Sequence, residues 1–313
     1  MSSSLSQHPE PDFSVLHVSD THLLGGGRKL HGTIDTASRI DAMFQRVVES
    51  GLRIKALVFS GDLADCAEPE AYRELRALVE PYAATLGAQV VWVMGNHDEP
   101  EPFAQELFDE HASDPSQDRV YDIDGLRIIA LDTSVVGYHH GELTADQLTW
   151  LRDHLRTPAP RGTLIAMHHP PIPTLIRLMG VIELDDQDAF WDVISGSDVR
   201  GILAGHLHYS TMTVKNTIPV SVAAAMCYNI DLAAPADRLL VGVDRAHGSS
   251  LVSVYPTQLV FSDVPAIDMP ELFGQSAEHL AALQQMPKEQ LRAMFSAKDS
   301  DYNKQVDAQQ AGQ

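Results

Sequence analysis

The sequence predicts a layered α/β domain with helices outside the sheets. Three features predict it. Short runs of Val, Ile, Leu, Ala and Phe alternate with amphipathic stretches of helical period through the first two-thirds of the chain. Strand-like runs then dominate, as a second sheet or an antiparallel extension would require. Several of the runs end abruptly in a polar motif, the pattern of strands whose carboxyl ends carry a site.

Residues 1–12 are Ser- and Pro-rich and are expected to be disordered. Residues 13–19 form the first strand, and a flexible Gly25-Gly26-Gly27 loop follows. Ile40, Met43, Phe44, Val47 and Val48 recur at helical spacing over 35–50, and Gly51 stops that helix. The next strand is 56–59. Pro69 sits where a helix can begin, with Tyr72, Leu75, Leu78 and Val79 as its apolar stripe. Residues 90–94 form the third strand. A helix around 103–110, a polar loop to 120 and a strand over 126–131 follow. Thr144 and Gln147 make a capping box for a helix carrying Leu148, Leu151 and Leu155, which Pro158 and Pro160 end. Residues 164–167, 202–204, 220–225, 251–254 and 259–261 read as further strands. No linker cuts the chain before about residue 265, so 13–265 is expected to be one domain. Residues 266–313 read as a helical and flexible tail, with helices at 278–285 and 288–295 and disorder from 298 onward.

A chain of 313 residues with 44% hydrophobic content can bury a large core. Forty-three acids face twenty-two bases, a formal charge of −21. No basic run stands out, which excludes a nucleic-acid polymer as the expected partner. A small phosphate ester stays allowed where bound metals reverse the local field. No apolar stretch nears the ~18–20 residues of a membrane span, and the N-terminus lacks the core of a secretory leader. Cys66 and Cys227 lie in no Cys-x-x-Cys pair and read as packed thiols in a reducing compartment. The expected location is cytoplasmic.

The polar motifs are Asp20-Thr21-His22, Gly61-Asp62, Gly95-Asn96-His97-Asp98, His168 and Gly205-His206-Leu207-His208. Each alone is weak; Gly-Asp after a strand is usually just a turn. Together they supply Asp20, His22, Asp62, Asn96, His168, His206 and His208, too many donors for one metal and enough for two if one carboxylate bridges. Asp62 suits the bridge, because Gly61 lets it project. Oxygen and imidazole donors fit zinc, manganese and iron better than calcium. No thiol lies in these motifs, which argues against a structural zinc ribbon. His168 and His169 are ambiguous by one position.

With Asp65 included, these motifs resemble the signature of the calcineurin-like metallophosphoesterases. The phrases around Asp20, Asn96 and His206 resemble more narrowly the actinobacterial class III cyclic-nucleotide phosphodiesterases, over about residues 12–262. The resemblance implies a four-layer αββα sandwich, the calcineurin-like metallophosphoesterase fold. It implies one metal on Asp20, His22, Asp62 and His208 and a second on Asp62, Asn96, His168 and His206. Iron with manganese is the expected pair, with zinc or magnesium as alternatives. It also implies a homo-oligomer, expected as a dimer.

The reaction so implied is hydrolysis of cAMP to AMP by a metal-bridging hydroxide attacking phosphorus in line. His97 is assigned to the phosphoryl oxygens or to the leaving group as acid. Asn96, His97, His208 and His140 are the expected substrate contacts. Asp98 is expected to orient His97, and Asp65 to orient a metal ligand unless it is only a loop acid. His139 and His140 either border the pocket or are solvated. Residues 170–179 either wall the pocket or cover core. His17, Trp150 and Trp191 are read as packing. Two other readings stand beside this one: a broader phosphodiesterase or phosphomonoesterase with the same centre, and a non-catalytic interaction module, which would normally have lost ligands.

Overall fold

The computed structural model describes residues 6–112, 116–245, 247–266, 270–272, 274 and 276–311. Asp12–Asp268 make one unit; Met1–Pro11 with Met269–Gln313 make another.

The larger unit opens with β1 (Phe13–Val18), α1 (Thr36–Glu49), β2 (Ile54–Ser60), α2 (Pro69–Leu86) and β3 (Gln89–Val93), whose strands run parallel. Then come α3 (Pro100–Phe108) and the antiparallel pair β4 (Arg119–Ile123) and β5 (Leu126–Leu131). α4 (Ala145–Leu155), β6 (Thr163–Met167), α5 (Gln187–Ile194) and β7 (Val199–Ala204) continue the parallel run. β8 (Thr211–Lys215) and β9 (Ile218–Val222) form a hairpin, and β10 (Asn229–Ile230) pairs with β11 (Gly242–Val243). β12 (Gly248–Val254) returns antiparallel to β1, and β13 (Leu259–Pro265) pairs antiparallel with β12. The result is a five-stranded sheet, β13-β12-β1-β2-β3, and a six-stranded sheet, β4-β5-β6-β7-β9-β8.

Both faces of the central strands are buried, which is why they read as continuous apolar runs. Phe13, Val15, Ala56, Val58 and Val91 of the first sheet meet Ile128, Ala130, Leu164, Ala166 and Leu203 of the second. Leu16, Val18, Leu57, Phe59 and Trp92 point the other way, under α1, α2 and α3. Ile129, Leu131, Ile165 and Ile202 pack under α4 and α5. The order is helices, sheet, sheet, helices: the four-layer αββα sandwich. The α1 stripe Ile40, Met43, Phe44 and Val47 is buried, each side chain stabilising by about 1.5–3 kcal/mol.

The boundaries differ from expectation where burial is one-sided. Residues 119–123, expected in or beside a polar loop, form edge strand β4, whose alternating burial leaves no apolar run. β8 is likewise an edge strand with an alternating pattern. The strand expected over 220–225 is β9 at 218–222; beyond it the chain crosses to the other sheet's end, where the Met226 and Cys227 amides donate to the Ser19 and Asp20 carbonyls. α3 starts at Pro100 and ends at Phe108, where Asp109 takes a left-handed φ of 58°. α5 is short; from the sequence Trp191 is expected on a helix, but without bounds for it.

In the smaller unit, α6 (Leu280–Gln285) and α7 (Lys288–Leu291) fall where short helices are expected. Residues 298–311, expected to be disordered, carry α8 (Asp301–Ala311). That segment lacks Gly and Pro before its last turn and starts on an acid, but is polar all round, so composition alone reads as disorder. Residues 1–5 and 312–313 of the expected disordered ends lie outside the described residues. Cys227 is buried as expected, whereas Cys66 is exposed, because it follows the Asp65 turn rather than a strand.

Candidate metal centre

Five parallel strands deliver the donors from their carboxyl ends. Asp20 and His22 follow β1, Asp62 follows β2, Asn96 follows β3, His168 follows β6, and His206 with His208 follow β7. Asp20, His22, Asp62, His206 and His208 all have positive φ, between 44° and 71°. Non-glycine residues rarely adopt this conformation, and it collects at sites where local strain serves function. The turns are also tight. A Cβ on Gly95 would lie 2.2 Å from the Asp62 amide nitrogen, and one on Gly61 would lie 2.4 Å from His168 Nδ1.

These turns bring the donors together across the two sheets. Asp20, His22, Asp62 and His208 each place a ligand atom within 4.8 Å of the others. Asp62 Oδ2 lies 3.3 Å from both His22 Nε2 and His168 Nε2, between the two groups of donors. His208 Nε2 lies 3.4 Å from Asp20 Oδ1, and His168 Nε2 lies 3.1 Å from Asn96 Oδ1. His206 joins on the His168 side, its ring centroid 5.1 Å from that of His168. The His168–His169 ambiguity resolves physically. His169 uses both ring nitrogens elsewhere, on Thr133 Oγ1 and the His139 carbonyl, whereas His168 Nε2 lies beside Asp62.

Each ring is aimed by its other nitrogen. His22 Nδ1 pairs with Asp65 Oδ1 at 2.9 Å. The carbonyls of Ser60, Ile182 and Tyr228 accept from His168 Nδ1, His206 Nε2 and His208 Nδ1. Such partners fix which nitrogen keeps a lone pair, as metal-binding histidines require. His22 Nε2 is buried and has no hydrogen-bond partner. A buried orphan nitrogen beside two carboxylates suits a cation, so the donors fit two metal ions.

The charges agree. Burial opposes ionisation of Asp20, yet His208 and His168 outweigh it and hold its carboxyl down at about 2. Burial likewise opposes charge on His22, but Asp62 and Asp65 raise it to about 10. His168 is raised to about 9, the Asp62 charge outweighing burial. Burial, then the nearby His168, lowers His206 to about 3. In the metal-free protein, protons thus stand in for cations among the carboxylates.

Other expected residues fall out as follows. Asp65 reaches His22, and its main-chain carbonyl takes His97 Nδ1 at 2.8 Å. Asp98 does not orient His97. It turns inward and accepts from the Leu63, Ala64 and Gly95 amides and the Tyr72 hydroxyl, because those donors lie beneath the turn. His140 pairs with Glu142 and is not among the lining residues of the cleft; its neighbour His139 is, with Nδ1 2.8 Å from Asn96 Nδ2. Adjacent side chains leave the chain on different sides, and sequence alone does not say which faces in. His17 is buried against Ser60, and Trp191 packs in α5 with its indole N–H on the Pro171 carbonyl. Of the two readings left open for His139, it is the pocket border that holds, whereas Tyr228 and Asp132 were not singled out from the sequence. Asp132 follows β5 as the donors follow their strands, but it binds the amides of Gln117 and Ser134.

Over the donors lies a cleft of about 270 Å³. Its polar lining comes from His97, His139 and the donors His22, Asp62, Asn96, His206 and His208, and its apolar lining from Leu178, Met179, Ile182, Ile230 and Leu240. Of residues 170–179, Leu178 and Met179 therefore wall the cleft, while Ile172 covers core.

Fold and donor set together define a metallophosphoesterase able to hold two metal ions. A family model for calcineurin-like phosphoesterases matches residues 13–210, and the chain belongs to that family. It is 54% identical over 260 residues to a cAMP/cGMP dual specificity phosphodiesterase of Mycobacterium tuberculosis, covering 83% of this chain and 81% of that one. It is 48% identical over 265 residues to a protein named "Probable cyclic nucleotide phosphodiesterase" of Rhodococcus erythropolis, covering 85% of this chain and 87% of the relative. A dimetal phosphatase of Danio rerio shares the fold at a TM-score of 0.60 and 16% identity, covering 83% of this chain and 98% of that one. Among the described residues no helix is long and apolar enough to cross a membrane.

Proposed function

We propose that this protein hydrolyses 3′,5′-cyclic nucleotides, cAMP among them, to the 5′-monophosphates. The observation that carries it is a donor set for two cations opening on a cleft lined by both polar and apolar side chains, sized for one small ligand. The names of the two bacterial relatives support the same substrate class.

Asp20, His22, Asp62 and His208 would hold one ion; Asp62, Asn96, His168 and His206 the other, with iron and manganese as the proposed pair. When bound, two such ions activate water near neutral pH and offset phosphate charge. The chain's own groups do the rest. Asn96 Nδ2 donates to His139 Nδ1, which leaves His139 Nε2–H for a phosphoryl oxygen. His97 in its protonated form donates Nδ1–H to the Asp65 carbonyl and holds Nε2–H for the leaving group. Water adds to phosphorus, the P–O3′ bond breaks, O3′ takes the proton from His97 Nε2, and the proton given up by the water restores the charge on His97. General acid help of this kind contributes about 10²–10⁴-fold. A cytoplasmic homodimer is the assembly we propose; the exposed unpaired Cys66 suits a reducing compartment.

The test is turnover by manganese-loaded protein, with AMP read by chromatography. His97→Ala should lower kcat for cAMP by about 10²-fold or more. It should cost less with bis-p-nitrophenyl phosphate, whose leaving group needs no proton. Failure to form AMP overturns the substrate; equal losses on both substrates overturn the role of His97.

A further inference from the structure

The cleft does not end at the metal donors. A second recess of about 380 Å³ shares Tyr228, Ile230 and Leu240 with it as a common wall. The Tyr228 ring lies 4.5 Å from that of His208 and 5.4 Å from that of His31, so it spans the distance from donors to recess. Polar groups line the recess: His31, Thr33 and Asp244. Asp244 is held in place by Arg39 and by His247, the latter at 2.9 Å. The first cleft has a second apolar stretch that the recess does not share, Leu178, Met179 and Ile182, whose side chains offer hydrocarbon and sulfur only.

We propose that this recess is the nucleobase subsite and that Tyr228 is the residue on which base recognition turns. The proposal rests on the cyclic-nucleotide reading above. In a cyclic nucleotide the base stands one sugar ring from phosphorus, so a phosphate at the donors sets the base beside Tyr228. A base has an apolar face and a polar edge. The Tyr228 ring matches the face by stacking. The carboxylate of Asp244 accepts only, while Thr33 and neutral His31 both donate and accept. Together they can meet the amine edge of adenine or the mixed edge of guanine. The Leu178–Met179–Ile182 wall has no such group for a polar edge.

The test compares kcat/KM for cAMP with kcat/KM for the abasic ribose 3′,5′-cyclic phosphate, on full-length manganese-loaded protein. Val243→Trp fills the recess from β11. Tyr228→Leu removes the aromatic face but keeps the main-chain carbonyl that holds His208. Both variants should lower the cAMP-to-abasic ratio by about tenfold, the scale of one base–aromatic stack. An unchanged ratio in both, with Met179→Ala lowering it instead, puts the base on the Leu178–Met179–Ile182 wall and overturns the proposal. Equal losses on both substrates overturn it too. Failure of the underlying reading looks different: the wild-type protein would then turn over neither cyclic phosphate.

Discussion

Tyr72→Phe is the most informative single-atom change. Tyr72 is fully buried in α2, and its hydroxyl donates to Asp98 Oδ1 at 2.8 Å. The same carboxylate accepts the amides of Leu63, Ala64 and Gly95. Leu63 follows Asp62, and Gly95 precedes Asn96. One buried carboxylate therefore ties together the two turns that aim Asp62 and Asn96. The substitution keeps the ring's edge contact with Phe103 and opens almost no cavity. Its cost is one hydrogen bond to a charged acceptor, about 1.5–3 kcal/mol. For a domain of this size that lowers the thermal midpoint by about 3–12 °C. Metal affinity should fall as well, by about tenfold, the lower end for groups that support ligands. Thermal denaturation and calorimetric manganese titration read the two effects. An unchanged midpoint with unchanged affinity would refute the clamp.

Three further outcomes follow from the same geometry. Asp65→Ala frees His22 Nδ1 and should weaken manganese binding by about 10–100-fold with little change in melting, since Asp65 is only half-buried; unchanged affinity would reduce Asp65 to a loop acid. Gly95→Ala forces a Cβ to 2.2 Å from the Asp62 amide, so the turn must move and metal binding should be lost, as inductively coupled plasma analysis of purified protein would show; normal metal content contradicts this. The third concerns pH. In chelator-treated protein His22, His168 and His208 have pKa values raised to about 10, 9 and 10. A raised histidine pKa stabilises the fold below the ordinary value of 6.5 and loses that contribution as pH climbs through the raised value. Melting should therefore fall from pH 7 to pH 10 in the metal-free protein. It should fall less in the manganese-loaded protein, where cations replace those protons. Equal falls would contradict the reading.

The layered α/β architecture was legible because its central strands are buried on both faces, and the resemblance supplied the four-layer form. Leu57 and Val58 pack into different layers, so the run shows no alternation and stands out from its surroundings. The donors were legible because each ends such a run, several straight after a glycine. What stayed hidden depends on side-chain direction or on contacts between distant segments. Whether His139 or His140 faces the cleft is set by the backbone path of the loop, which no periodicity records. The partners of Asp98 lie in the turn after β2 and in α2, so a local reading gave it to its neighbour His97. Edge strands β4 and β8 bury one face and lack the apolar signature. Tyr228 and Leu240 belong to the short β10–β11 region, where neither helical nor strand period is established.

The claim beneath all of this is that donors from five strands gather round a pair of cations with Asp62 between them. Anomalous scattering from crystals of manganese-loaded protein measures that directly. The account predicts two peaks about 3.5–4 Å apart, the spacing of two-metal phosphoesterase centres, with the Asp62 carboxylate contacting both. A single peak in fully active protein, or two peaks remote from Asp62, would contradict it.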